Sequence, residues 1–301
     1  NFEIENHITA DNELLLMVFC YNSMHEIAHL LVDIYGIKCI PETHYHHGNT
    51  ILSYACKYRY EDIIIKLLDL YGDKIINYTE NDTTNYDNNI FALAYKNGLE
   101  KVLIKLLDIL NEKFLLQTFI MDNKDDDNIY MLMCKKKYLK ILSIMINKFD
   151  DIIDYEYTNG HKKNILMCAL ETKSSEITSL IILKCKNSNI YSQIDIKDKT
   201  ILHYITAETE KEGLYIIKNY GKYIDPTLTA EISRYTILFV ACMNKCENLI
   251  CEIINTYGSR CLPNMLCGAN IRADAITLCC INNLEKAALC ILNKFRSEEH
   301  T

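Results

Sequence analysis

The residue types in this 301-residue chain best suited to chemistry are histidines, cysteines and clustered carboxylates. His44, His46 and His47 flank Tyr45 in one short stretch, and imidazoles gathered on a loop can ligate zinc or nickel. No Cys-x-x-Cys pair accompanies them, and Cys39 is only loosely placed, so the stretch reads as a polar turn. Eight of the fourteen cysteines follow residue 240. Cys242 and Cys246, four apart on a helix, have a spacing that can share a metal. Cys242, however, repeats the position of Cys56 and Cys134, and a cysteine that recurs in one position of a repeat fills a core slot. Cys261 and Cys267 fall in loops and are the cysteines most worth testing for reactivity. Asp125-Asp126-Asp127 lacks the Gly and the distal Glu of a calcium loop and reads as a solvated loop tip. His203 has the chemistry of a general base, but no nucleophile elbow, phosphate loop or paired-carboxylate motif supports it. No catalytic residue, cofactor or metal ligand is assigned from the sequence, and the chain reads as a non-enzyme.

Composition narrows the classes further. Hydrophobic residues make up 49% and charged residues 24% of the chain, which suits a folded protein rather than a disordered one. Three Pro, nine Gly and no Trp argue against a Gly-rich nucleotide-binding enzyme and against a turn-rich β-sandwich. The longest apolar runs stop well short of the roughly 20 residues of a membrane span, so no membrane association is expected. A net charge of −8 disfavours nucleic acid, whose binding needs a basic face. Fourteen cysteines within apolar helical patterns, in a chain long enough for a core, imply buried free thiols and a reducing, cytoplasmic setting. The chain opens at Asn1 without an initiator Met or a signal-like segment, and is expected to be a piece of a longer polypeptide.

The elements that must position any site come from an internal repeat. A polar residue, often Thr or Asn, precedes an apolar anchor at Leu14, Ile51, Ile90, Ile129, Ile165, Ile201, Ile237 and Ile276, at intervals of 37, 39, 39, 36, 36, 36 and 39. Four residues past the anchor the side chain is often small: Ala55, Ala94, Ala169, Ala241, and Cys280 in the last unit. Thirteen residues past it a second apolar stretch begins, with a doubled pair at sixteen and seventeen: Leu30-Leu31, Leu67-Leu68, Leu106-Leu107, Met145-Ile146, Ile181-Ile182 and Ile253-Ile254. The sixth and eighth units require a one-residue deletion, giving Ile216-Ile217 and Ile291-Leu292. Each unit therefore predicts two short antiparallel helices. The first is too short to persist alone and the second is amphipathic, so stacked neighbours must supply the core. The expected fold is all-α, one domain over residues 1–301. Its helix-turn-helix units number about eight, near 12–47, 48–86, 87–125, 126–161, 162–197, 198–233, 234–272 and 273–296.

These motifs resemble the ankyrin-repeat family. Thr200-Ile201-Leu202-His203 with Asp195 stands in the place of its Thr-Pro-Leu-His and turn Asp. Gly48-Asn49-Thr50-Ile51-Leu52 followed by Tyr54-Ala55, and Ala92-Leu93-Ala94 followed by Gly98, match other parts of the pattern. The resemblance covers about Asn12 to Phe295. It departs from the family at every motif Pro, which is Ile or Leu here, and in a period of 36 to 39 against about 33. The extra residues fall between units, for example over Tyr71 to Asn89 and Glu112 to Asn128, and imply long fingers and an ankyrin-repeat solenoid. The resemblance also implies a structural His203 that hydrogen-bonds loop backbone.

The same resemblance implies a non-enzymatic protein–protein interaction module that binds a partner protein or peptide on its concave, finger-bearing face. By alignment the candidate contact residues are Tyr45, His46, Asn49, Lys57, Tyr58, Tyr86, Asn88, Lys96, Asp127 and Lys135, with units two to four favoured because terminal units act as caps. Exposed tyrosines are the preferred anchors. The wealth of Ile, Asn, Lys and Tyr resembles translation of an A/T-rich genome, as in the divergent ankyrin arrays of giant DNA viruses of the mimivirus type and of poxviruses. On that reading the partner is a host protein met in the host cytoplasm, and the alternatives are a substrate-recognition adaptor of a ubiquitin ligase or a structural virion component.

Overall fold

In the computed structural model the described residues, 15–36, 51–72, 90–109, 125–230, 235–261 and 275–298, are all-helical. Helices come in pairs: α1 (Leu15–Tyr21) and α2 (His25–Tyr35), α3 (Ile51–Lys57) and α4 (Glu61–Tyr71), α5 (Ile90–Asn97) and α6 (Glu100–Ile109). Next in the chain are α7 (Ile129–Lys135) and α8 (Leu139–Phe149), α9 (Ile165–Glu171) and α10 (Ser175–Ile182), and a short α11 (Asn189–Ser192). A 3₁₀ turn (Ile201–Tyr204) precedes α12 (Glu210–Tyr220), followed by α13 (Ile237–Met243) with α14 (Glu247–Tyr257) and α15 (Ala275–Ile281) with α16 (Glu285–Glu298).

The chain divides into two compact units, one of Asn1–Asn123 with Lys140–Ile152 and one of Lys124–Leu139 with Ile153–Thr301. Inside each, like packs on like. In the first, α1, α3 and α5 pack in one row and α2, α4 and α6 in another. In the second, α7, α9, the 3₁₀ turn, α13 and α15 form one row, and α10, α12, α14 and α16 the other. The all-α repeat expected from the sequence is thus present, and neither helix of a pair buries its apolar stripe without the next pair.

Local signals explain where each helix starts and stops. The polar residue before the anchor is an N-cap: Asn128, Asn164 and Thr236 accept from the backbone N–H of Met131, Met167 and Phe239. Eight residues past the helix start the chain reverses through a residue with φ near +60°, at Ser23, Arg59, Gly98, Lys137, Lys173, Lys245 and Asn283. The residue after the turn bonds back five positions, as Tyr60 N–H does to Ala55 O (2.8 Å) and Cys246 N–H to Ala241 O (3.0 Å), the 6→1 bond of a Schellman ending. Gly98 suits this left-handed backbone best, and Asn283 adopts it at less cost than the remaining residues. The other residues there carry a Cβ, which costs about 1–2 kcal/mol in that region, partly offset by the greater unfolded-state entropy of glycine. Lys245→Gly is therefore expected to stabilise the protein by about 0.5–1 kcal/mol, measured as a higher denaturant midpoint; a lower midpoint would refute this account of the turn.

The end units correct the sequence register by one residue. Counted back eight positions from the reversing residue Ser23, the first pair takes its register from Leu15 rather than Leu14, so that Ala28, Leu31 and Val32 are buried while Ile27 and Leu30 are 46% and 57% exposed. In the last pair the same count back from Asn283 gives Ala275, not Ile276, and no deletion is needed. The small buried position is then Cys279 (0% exposed), and Cys280 is exposed. The distance back from the reversing residue, eight positions in every pair that has one, fixes the register, whereas apolarity at the anchor does not. The sixth unit does carry a deletion. Its first helix shrinks to the 3₁₀ turn, and Gly213 lets α12 approach closely, since a Cβ there would meet Ile205 Cγ2 at 2.9 Å.

Between pairs, the second unit shows the finger turns. Asn159 Oδ1 accepts from the N–H groups of His161 and Lys163, and Asp195 Oδ1 accepts from those of Lys197 and Lys199. Successive fingers are joined by Gly160 N–H to Asp125 O (2.8 Å) and Ile196 N–H to His161 O (3.0 Å). Lys162 and Asp198 hold φ near +56° in these turns. The stretches 73–89 and 110–124, where the longest fingers are expected, lie outside the described residues.

Candidate functional site

The first helices supply the candidate surface of the first unit. Lys57, the last residue of α3, is exposed, and its Nζ lies 5.7 Å from the ring centroid of Tyr58. Tyr58 is half-buried. Its ring meets that of Tyr21 edge-on at 5.7 Å and stacks with Tyr54 at 6.2 Å. Tyr21 closes α1 and is 62% exposed; sequence reasoning passed over it, although it belongs to the same exposed helix end as Tyr58 one unit on. Lys96 is exposed near the end of α5. Of the expected contact residues, the structure therefore brings Lys57 and Tyr58 together with Tyr21 and Tyr54. Aromatic rings already packed against one another present contact area at little further entropic cost.

On the opposite helices of this unit, Lys66 pairs with Asp33 and Lys105 with Asp69. Each is a link from one second helix to the one before it, at solvent-exposed positions where such pairs contribute little.

In the second unit Asp127 and Lys135 do not stand apart as an acidic finger beside a lysine row. Asp127, expected to be solvated, is buried at 3% exposure. Lys135 Nζ bonds to both Asp127 and Asp125, while Asn159 Nδ2 donates to Asp127 Oδ1 at 2.7 Å. Burial opposes the charge on Lys135, but the two carboxylates outweigh it and raise its pKa. Asp125 is held below the usual carboxylate range by its bond to Lys135 and, after that, by His161 Nε2 at 3.1 Å. Charge neutralisation between a finger and its own first helix thus occupies both residues. The exposed finger positions here include Asp126, Gly160, His161, Lys162, Ile196, Lys197 and Asp198. Tyr45, His46, Asn49, Tyr86 and Asn88, and with them His44 and His47, lie outside the described residues.

His203 is structural, as the motif resemblance implies. It is 6% exposed, Thr200 N–H donates to its Nδ1 at 3.0 Å, and its Nε2 lies 3.1 Å from Tyr235 O of the next unit. This pattern requires the neutral tautomer with the proton on Nε2, and burial lowers the pKa to about 4. Asp195 likewise sits in the turn-Asp place, with Oδ2 accepting from Tyr204 OH at 2.5 Å.

Two sets of glutamates escaped the sequence. Glu61, Glu210 and Glu247 begin second helices, and each accepts from backbone N–H groups that open the following second helix: Lys101, then Asn248 and Leu249, then Lys286 and Ala287. These are N-terminal caps supplied across the repeat. Glu212 is different. It occupies the place that Ile63, Val102 and Leu249 fill in other pairs, is 3% exposed, and takes Ser175 and Ser179 hydroxyls on Oε1 while Oε2 has no hydrogen-bond partner.

The described cysteines are free thiols. Cys56, Cys134 and Cys242 are fully buried, as their shared column demands, and burial pushes the Cys56 thiol up to about 12. Cys261, one of the two loop thiols singled out for testing, is 0% exposed with its Sγ 3.0 Å from Gly258 O; it closes a 3₁₀ turn that packs on α14. Cys39 and Cys267 lie outside the described residues. Among the described residues no group of three or more His, Cys, Asp or Glu side chains is placed to hold a metal ion, and no helix is long and apolar enough to cross a membrane.

No protein-family model and no curated protein matches the chain. Among solved structures it is similar to the ankyrin repeat domain of Bcl-3, described as a unique member of the IkappaB protein family. The two share 13% sequence identity over 76% of this chain and 94% of that one, with a TM-score of 0.45.

Proposed function

We propose that the protein is a binding module that captures an extended segment of another protein on the first-helix ends of its N-terminal unit. The observation that carries this reading is the exposed Tyr21 packed edge-on against Tyr58, with Lys57 over the same ring. Partly exposed tyrosines held by their neighbours are the residue type most enriched among interface anchors. Lys57 and Lys96 flank them, which suits a partner carrying apolar side chains beside carboxylates. The repeat scaffold meets the ordering cost on folding, before the partner arrives.

The test is retention of a partner from cell lysate on the immobilised chain, followed by titration with the retained protein. Tyr21→Ala combined with Tyr58→Ala is expected to weaken binding by about 2 kcal/mol, roughly thirty-fold, with helical circular dichroism unchanged. Undiminished binding by that variant, with loss on replacing Lys66 and Lys105, would place the site on the second helices and defeat the proposal.

A further inference from the structure

We propose that Cys251 and Cys290 form a disulfide site between the last two second helices, oxidised by a small disulfide of the glutathione type, while the neighbouring pair Cys242 and Cys279 stays as thiols. Helices α14 and α16 pack side by side and bring the Cys251 and Cys290 sulfurs to 2.9 Å. That separation is closer than two unbonded sulfurs ordinarily rest, and a bond of about 2.05 Å needs only a small further approach. The same two repeat positions hold Ile65 and Lys105 in α4 and α6, so the paired thiols are a property of this interface rather than of the repeat.

Access separates the two cysteine pairs. Cys242 and Cys279 lie 3.6 Å apart, but both are 0% exposed in the first-helix row, where an oxidant cannot reach either sulfur. Cys290 is half-buried and Cys251 is 8% exposed. Cys290 is therefore the entry point. Its thiolate attacks one sulfur of the glutathione disulfide, whose S–S bond breaks and releases one glutathione thiolate, leaving a mixed disulfide on Cys290. Cys251 then loses its proton to solvent and attacks the Cys290 sulfur, expelling the second glutathione. Two protein thiols are oxidised by two electrons and one glutathione disulfide is reduced to two thiols. Burial, which raises the Cys251 pKa, keeps that residue a thiol and leaves the first attack to Cys290. The bridge would close the 251–290 loop and fasten the last pair to its neighbour.

Peptide mapping of the purified chain without reductant, after equilibration in glutathione buffers of rising oxidised fraction, tests this. The expected product is a cross-linked peptide joining Cys251 to Cys290, with loss of two titratable thiols, no retained glutathione, and reversal by dithiothreitol. Cys251→Ser should stop the reaction at a glutathione adduct on Cys290, and Cys290→Ser should abolish it. A stable glutathione adduct on the unsubstituted chain, a Cys242–Cys279 bridge at equal or milder oxidation, or no loss of thiols would each overturn the assignment.

Discussion

Leu107→Ala is expected to destabilise the N-terminal unit by about 2–5 kcal/mol, the range for a fully buried leucine reduced to alanine. Leu107 is 0% exposed in α6 and stands beside Leu106, also 0% exposed. The pair is the repeat's doubled apolar position, and α6 uses it against α4. Lys148 Nζ from α8 donates to Leu107 O at 2.5 Å, so the backbone there is pinned from a second side and cannot collapse freely into the space left. Incomplete collapse places the cost toward the upper part of the range. Leu68→Ala at the equivalent place in α4, 1% exposed, should behave alike. In a repeat protein the loss falls on the affected pairs and their neighbours, so the measurement is denaturant unfolding followed together with hydrogen exchange of α4 and α6 amides. A change well under 1 kcal/mol at both sites would mean that the doubled pair does not build the core.

That prediction rests on the part of the fold most legible in the sequence. Six of the eight anchors mark a helix or 3₁₀ start in the structure, from Ile51 to Ile237, because an N-cap followed by a branched apolar residue is a local signal that neighbours do not override. The ends were misread for a physical reason. In an internal pair the second helix packs on neighbours at both flanks, so most of its apolar residues are buried, with Leu70 and Leu139 as exceptions. In the first pair, Ile27, Leu30 and Ile34 are exposed, and apolarity no longer reports burial.

The candidate site was less legible, since charge alone does not say whether a residue faces solvent or its own chain. Asp127 and Lys135 looked like two halves of a binding surface and are two halves of one ion pair. Glu212 sits in an apolar column where no local rule would place it. Its second oxygen is left without a hydrogen-bond partner, at a cost ordinarily of about 1–3 kcal/mol. Tyr21 stands six residues past its helix start, the position that Lys57 holds in the next pair, and so belongs to the helix end that the repeat already marks as a contact surface.

Stability is expected to fall by on the order of 3 kcal/mol between pH 6.5 and pH 4 through His203 alone. The folded-state pKa of about 4 lies below the value near 6.5 of an unfolded histidine. Between those limits the unfolded chain binds a proton that the folded chain refuses, so stability rises with pH, is complete above about 6.5 and is lost as pH falls through about 4. Burial is the leading cause, and the geometry shows why no neighbour rescues the charged form. Nδ1 is already occupied as an acceptor by Thr200 N–H, and protonating it would set two donors against each other. Lys199 adds like charge, and the favourable contributions of Tyr235 O and Asp195 do not compensate. His203→Gln removes the titrating group while keeping a polar side chain, so the unfolding free energy of the substituted chain should depend less on pH over this interval. The check is the difference between the two pH profiles, which cancels the carboxylates that titrate in both. Parallel profiles from pH 7 to pH 4 would show that His203 titrates alike in the folded and unfolded chain, and that the bridge from Thr200 through the imidazole to Tyr235 O does not hold one unit to the next.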